Sequence, residues 1–386
     1  MSLRTQGVIN DPSLVLDQLC NHMITHNKKP LLILSLLVTL LSLYFCAYFF
    51  ALLGVVAFIY LARLVAQTPH GHLDMRAALS LNLLDFGIRL KPEKSMEFRL
   101  PLRVNLLYPL SSLLPNEPVA NTSDISVGGG EGDLPARVYW PRKTVEPEGD
   151  LPVIVYFHGG GFVLGSVDIF DDLCRSLANA TKAVVVSVEY RLAPMFPYPA
   201  AIEDGYAAVK WVADHAAELG AAPDKVFVAG DSAGASISSV VAIKAMEAGA
   251  PRIKGQILYY PQTDMRGTQY DSIIHFSDGY GLSSEMIAGF HQAYCAQVED
   301  LAHPSLSPMM AQDLSGLPPA LVMTAGFDPL HDAGQLYAKM LQEQQVPVTF
   351  LDYKDMIHGF MSIRFFPQRR DVLHETGKFV DRLVGR

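Results

Sequence analysis

Ser232 is flanked two residues away on each side by glycine, in Gly230-Asp-Ser-Ala-Gly234. Small residues at that spacing let a backbone bend tightly enough to hold a hydroxyl out at the top of a sheet, which makes Ser232 a candidate nucleophile. A serine hydroxyl is scarcely ionised at neutral pH. It therefore needs a base, and the base needs a group that fixes its tautomer and steadies its charged form. Two downstream segments offer these: Gly326-Phe-Asp-Pro-Leu330 holds Asp328, and Lys354-Asp-Met-Ile-His-Gly-Phe360 holds His358. Of the 12 histidines, His358 has the best strand-end context, whereas His303 and His331 lie near turns. Two acids compete with Asp328. Asp332 suits the first turn of a helix after Pro329, and Asp355 suits a solvated loop. A further segment, His158-Gly-Gly-Gly-Phe162, is a run whose backbone can approach a ligand closely and offer amide donors to an oxygen that turns negative.

These groups need elements to hold them. Lys225–Ala229 is a short apolar run before the serine turn and Ala233–Ala248 a helix-compatible run after it, which together read as strand, sharp turn and helix. Leu151–Phe157 is a buried-strand pattern that leads into the glycine run. Strand patterns at Pro319–Ala325 and Val346–Tyr353 lead into the segments of Asp328 and His358, and strand ends are where the functional groups of open α/β sheets collect. Further strand patterns at Lys182–Val188 and Gln256–Tyr260 alternate with helical patterns near Ile169–Ala180, Pro199–Leu219, Asp332–Glu343 and Arg370–Leu383. Such alternation predicts an α/β fold with a mostly parallel sheet flanked by helices. The stretch 263–300 breaks the rhythm and reads as an inserted cap segment. Residues 67–120, with the amphipathic Ala77–Leu90 pattern and the apolar Val104–Leu114 run, read as the other part of a helical cap.

Taken in order, six stretches resemble the hormone-sensitive-lipase-like family of α/β-hydrolases. They are His158-Gly-Gly-Gly-Phe162, Glu189-Tyr-Arg-Leu-Ala-Pro194, Tyr198-Pro-Ala-Ala-Ile-Glu-Asp204, Gly230-Asp-Ser-Ala-Gly234, Asp328-Pro-Leu330 and His358-Gly-Phe360. The resemblance covers roughly residues 125–385. It implies Ser232 as nucleophile, His358 as general base and acid, Asp328 as the orienting carboxylate, and an oxyanion hole made by the amides of Gly160, Gly161 and Ala233. His158, Gly159, Asp231 and Glu189 fall on motif positions that support such a site. Met195 and Ala235 depart from the family pattern, and neither belongs to the triad.

Residues 31–62 contain no charged side chain, whereas about 20 apolar residues suffice to cross a bilayer. The expectation is a membrane-embedded helix over residues 31–66, or a hairpin bent near Gly54, following a polar segment 1–30. As one straight helix, residues 31–62 would be about 48 Å long, more than a hydrocarbon core of about 30 Å. Lys28 and Lys29 on one side and Arg63 and Arg76 on the other leave the orientation open. Residues 121–386 then form the catalytic domain.

A net charge of −9 argues against nucleic acid as a partner. Four scattered cysteines show neither metal nor disulfide-framework spacing, and no phosphate loop, dinucleotide fingerprint or metal-ligand cluster is present, so no cofactor is expected. The reading is a membrane-anchored serine carboxylesterase or lipase that acts on lipophilic or small esters; an oligomer is compatible with the sequence. An amide deacetylase on the same scaffold and a non-catalytic ligand-binding receptor are the alternatives, since fold alone does not fix function.

Overall fold

The computed structural model describes residues 28–78, 81, 115–142 and 149–386. The Val104–Leu114 run, most of the Ala77–Leu90 pattern and nearly all of the N-terminal polar segment lie outside these residues. The chain divides into two units, Met1–Leu64 and Val65–Arg386.

In the first unit, helix α1 (Lys28–Ala66) runs unbroken through Gly54. The described large apolar side chains between Ile33 and Val56 are more than half exposed. The described part of this apolar helix between Ile33 and Val56 has no packed face, and so no protein core to explain its composition.

The second unit is built on an eight-stranded sheet. In chain order the strands are β1 (Asn121–Gly129), β2 (Gly132–Trp140), β3 (Leu151–Phe157), β4 (Val184–Val188), β5 (Ala221–Asp231), β6 (Gly255–Tyr259), β7 (Ala320–Phe327) and β8 (Val348–Ile357). Their order across the sheet is β8-β7-β6-β5-β3-β4-β2-β1. β2 runs antiparallel to β1 and β4, and the strands from β4 to β8 pair in parallel.

The central strands are buried on both faces, which is why they read as continuous apolar runs rather than as alternation. In β3, Val153, Val155 and Phe157 point into one core while Ile154 and Tyr156 point into the other. The helices α3 (Ala200–Asp214), α4 (Ala233–Ala248) and α7 (His331–Glu343) cover the first face. Helices α2 (Asp171–Thr181) and α8 (Pro367–Val384) cover the second. Between β6 and β7 lie two further helices, α5 (Asp271–His275) and α6 (Ser284–Cys295), in the stretch that the sequence marks as an insertion.

The β1–β2 hairpin lacks a clear strand signal. β1 is polar, rich in small residues and largely unburied, and β2 contains Pro135. That proline lies just beyond the Ala136–Tyr139 span that pairs with β4, so its missing amide costs the ladder nothing there. Residues 66–78 belong to this unit as well: the Asp74 amide donates to the Asp355 carbonyl at 2.7 Å, and Leu73, Ala77 and Ala78 are buried.

Candidate active site

β5 delivers Ser232 at its C-terminal end, one residue before α4 begins. The turn is tight because Gly234 passes directly beneath β3, where a Cβ would collide with the Phe157 carbonyl. Ser232 takes φ 54° and ψ −119°, a conformation that costs a non-glycine residue about 1–3 kcal/mol. Its amide donates to the Tyr259 carbonyl at 2.9 Å, which holds the turn in place and leaves the hydroxyl to face outward.

The Ser232 hydroxyl donates to His358 Nε2 at 2.9 Å, and His358 Nδ1–H donates to Asp328 Oδ2 at 2.7 Å. The Asp328 carboxylate is fully buried, and its other oxygen accepts the Leu330 amide at 2.8 Å. Both carboxylate oxygens are therefore committed, and the imidazole tautomer is fixed with its lone pair toward the serine. The Tyr260 ring, 4.8 Å from the imidazole, backs His358. The competing acids are engaged elsewhere. Asp332 binds His331 and the Ser272 amide, and Asp355 accepts from Gln368.

The glycine run lies against this turn. Asp231 Oδ1 accepts the Gly159 amide at 2.8 Å and the Tyr156 hydroxyl at 2.6 Å, so one carboxylate fastens the run to the residue beside Ser232. Among the described residues, the Gly160, Gly161 and Ala233 amides have no protein acceptor. Ala233 is also the first residue of the 16-residue helix α4, whose amides and dipole favour a negative charge at that end. The arrangement can thus move a proton from Oγ to Nε2, and the Ala233 amide follows directly on Ser232.

His158 serves the scaffold. It is fully buried, with Nδ1 2.9 Å from the Gly159 carbonyl and its ring stacked on Tyr190, whose hydroxyl donates to the His158 carbonyl at 2.7 Å. Burial lowers its pKa to about 4, so the ring is neutral at working pH. Glu189 accepts the Val167 amide at 2.7 Å in the loop after the glycine run, and burial raises its pKa.

Sequence reasoning missed the aromatic roof. Phe290 on α6 lies so close to Gly161 that a Cβ there would land in its ring, and Tyr294 stacks on Phe162 at 4.0 Å with the planes 3° apart. His291, between them in sequence, reaches to 3.5 Å from Gln262 Nε2, and the Gln262 amide donates to the Ser232 carbonyl at 3.4 Å. The i, i+4 spacing of Phe290 and Tyr294 was visible in the sequence, but not what it faces. Tyr156 was also missed, although a tyrosine in a buried strand needs a partner for its hydroxyl.

Burial raises the Asp231 carboxyl to about 6, against the Tyr156 and Gly159 donors that favour its charge. A carboxyl moved that far from its ordinary range costs about 3 kcal/mol of stability once ionised. The folded-state pKa lies above the unfolded one, so this stability is present below about pH 4 and lost as pH rises through about 6. Asp231→Asn keeps an oxygen acceptor without the charge. Thermal melts should show the variant more stable than the parent at about pH 7.5, with the gap closing toward about pH 4. A gap that does not change with pH would contradict this account.

A profile of the α/β-hydrolase fold matches residues 154–362. The esterase LipI of Mycobacterium tuberculosis is 41% identical over 253 residues, which are 64% of this chain and 78% of LipI. Carboxylesterase NlhH of the same organism is 43% identical over 236 residues, covering 60% of this chain and 73% of NlhH. Among solved structures, an esterase from Pyrobaculum calidifontis superposes with a TM-score of 0.67 at 41% identity, covering 72% of this chain and 90% of its own. The ester hydrolase EH1AB1 from a Lake Arreo metagenome reaches a TM-score of 0.75 at 35% identity, covering 81% of this chain and 100% of its own. The chain belongs to the α/β-hydrolase fold family, within its hormone-sensitive-lipase-like esterases.

Proposed function

We propose that this protein hydrolyses carboxylic esters through a Ser232-His358-Asp328 triad and a covalent acyl-enzyme. The observation that carries the reading is the continuous hydrogen-bonded line from Asp328 through His358 to Ser232, at 2.7 and 2.9 Å. His358 takes the Oγ proton as Oγ attacks the ester carbonyl carbon, and the new oxyanion is held by the amides of Gly160, Gly161 and Ala233. Collapse of the intermediate breaks the carbon–oxygen bond to the alcohol, which leaves with the proton from His358 Nε2. Water then attacks the acyl-enzyme by the same route, and the acid is released. The relatives bear the names esterase and carboxylesterase, which weighs toward esters over amides.

The aromatic roof supports a preference for small acyl or alcohol groups. Phe290 rests on Gly161, one of the proposed oxyanion donors, so a bound carbonyl would have the ring as a neighbour. The experiment is the rate of hydrolysis of p-nitrophenyl esters from acetate to palmitate in detergent, with Ser232→Ala beside the parent. Turnover should fall as the acyl chain lengthens, because each methylene a pocket accepts or refuses is worth about 1–3 kcal/mol. Phe290→Ala should raise kcat/KM for the octanoate relative to the acetate by about tenfold. Turnover that survives Ser232→Ala would sink the triad, and an optimum at palmitate would sink the small-ester preference.

The second part of the proposal is that α1 anchors the protein in a bilayer. Its support is the charge-free 31–62 run and the exposure of its apolar side chains around the helix. Partition into lipid would place the esterase where lipophilic esters concentrate.

A further inference from the structure

Asp328 and His358 sit on loops that leave neighbouring strands, and the ladder between those strands is interrupted just below them. β7 and β8 pair in regular register up to Ala325↔Tyr353, and the register then shifts before Phe327↔Ile357. The two groups that must meet within hydrogen-bond distance thus rise from a place where backbone pairing is irregular.

His331 bridges this place. It lies three residues after Asp328, its amide donates to the Asp328 carbonyl at 3.0 Å, and it is the first residue of α7. Its Nε2 contacts Asp352 Oδ1 on β8 at 3.2 Å, and its Nδ1 contacts Asp332 Oδ1 on α7 at 2.9 Å. Asp352 also accepts the Thr324 hydroxyl of β7 at 3.1 Å, and Asp332 accepts the Ser272 amide of α5 at 2.9 Å. The Ser272 hydroxyl in turn donates to the Pro329 carbonyl at 2.9 Å. One imidazole therefore joins the acid loop, β8 and, through Asp332, the inserted segment. Both ring nitrogens face carboxylates, which neutral imidazole cannot satisfy, since only one of its nitrogens carries a proton.

We infer that His331 is a positioning residue: as an imidazolium held between Asp352 and Asp332, it fixes the Asp328 loop against β8 and so keeps Asp328 in register with His358. The inference rests on the triad reading above. The groups that face the ring are Asp352 and Asp332, with Lys354 of β8 acting on Asp352 from farther away. Asp352 first and Asp332 second, working against burial, lift the His331 pKa to about 9. The folded pKa is above the unfolded one. The tie is therefore intact through neutral pH and is lost as pH rises through about 9.

The test uses the full chain in detergent, with ethyl butyrate hydrolysis followed by titration of the released acid. Active sites are counted by labelling of Ser232 with a p-nitrophenyl alkylphosphonate, so that every rate refers to folded sites. For the parent, kcat/KM should drop at least about fivefold between about pH 8 and about pH 10, whereas His331→Arg, which keeps the charge at both pH values, should drop less than about twofold. His331→Gln should lower kcat about tenfold at about pH 7.5 with little change in KM. An alkaline limb identical in the parent and His331→Arg, or a parental kcat in His331→Gln, would overturn the inference while Ser232 still labels. Failure of Ser232 to label in the parent would overturn the triad reading and this inference together.

Discussion

Replacement of Ser232 by alanine should lower kcat on p-nitrophenyl butyrate by about 10⁴ to 10⁶, and Asp328→Asn should lower it by about 10⁴. The first figure follows from the loss of the only group placed to form an acyl-enzyme at this turn. The second follows from hydrogen-bond direction. Asp328 accepts at both oxygens, from the Leu330 amide at 2.8 Å and from His358 Nδ1 at 2.7 Å. Asparagine can accept at only one of these. If its oxygen stays with Leu330, its NH₂ faces Nδ1 and drives the proton to Nε2, where the ring can no longer take the Ser232 proton. If it turns, the buried Leu330 amide loses its acceptor, which costs about 1–3 kcal/mol. In both cases the carboxylate charge that steadies the imidazolium is gone, so the variant should fold, react slowly with a phosphonate at Ser232, and keep a near-parental KM. A Ser232→Ala enzyme within about tenfold of the parent would assign the chemistry to another nucleophile.

Much of this site could be read from the sequence because its parts sit at strand ends, where local pattern and chemistry coincide. Ser232, Asp328 and His358 each follow an apolar run, and such runs are legible when both faces of a strand are buried, as in β3 and β5. The β1–β2 hairpin was hard to read for the opposite reason. It lies at the edge of the sheet, and the polar composition of β1 matches its exposure. Relations between distant segments were not legible either. No spacing shows that Asp231 receives Tyr156, 75 positions away, or that Phe290 settles on Gly161. His331 looked like one more histidine beside a turn, and only the fold brings Asp352 to its second nitrogen. The sequence marks groups that do chemistry by the turns they need, whereas the groups that hold those turns are defined by what packs across the sheet.

Deletion of residues 1–64 should move the protein from an alkaline-carbonate-resistant membrane pellet to the soluble fraction while it keeps its esterase activity per labelled Ser232. The division of the chain falls at this point, with Val65–Arg386 holding the sheet and every residue of the proposed triad. The exposed Leu, Phe, Val and Ile side chains of Ile33–Val56 would each gain about 1.5–3 kcal/mol on leaving water, far beyond what a marginally stable fold could expose without a partner. The 39-residue helix is about 58 Å long at 1.5 Å per residue, so its apolar part is long enough to cross with tilt or to continue into the interface. A second variant separates insertion from mere stickiness. Arginine at both Leu43 and Phe45, near the middle of the apolar stretch, adds about 2.5–3.5 kcal/mol per residue to insertion but removes little of the apolar surface. That double variant should be released by carbonate while the parent stays in the pellet. Recovery of the parent from membranes as a chain shortened by the helix would identify a cleaved targeting segment instead, and recovery of the full chain in the soluble fraction would overturn the anchor.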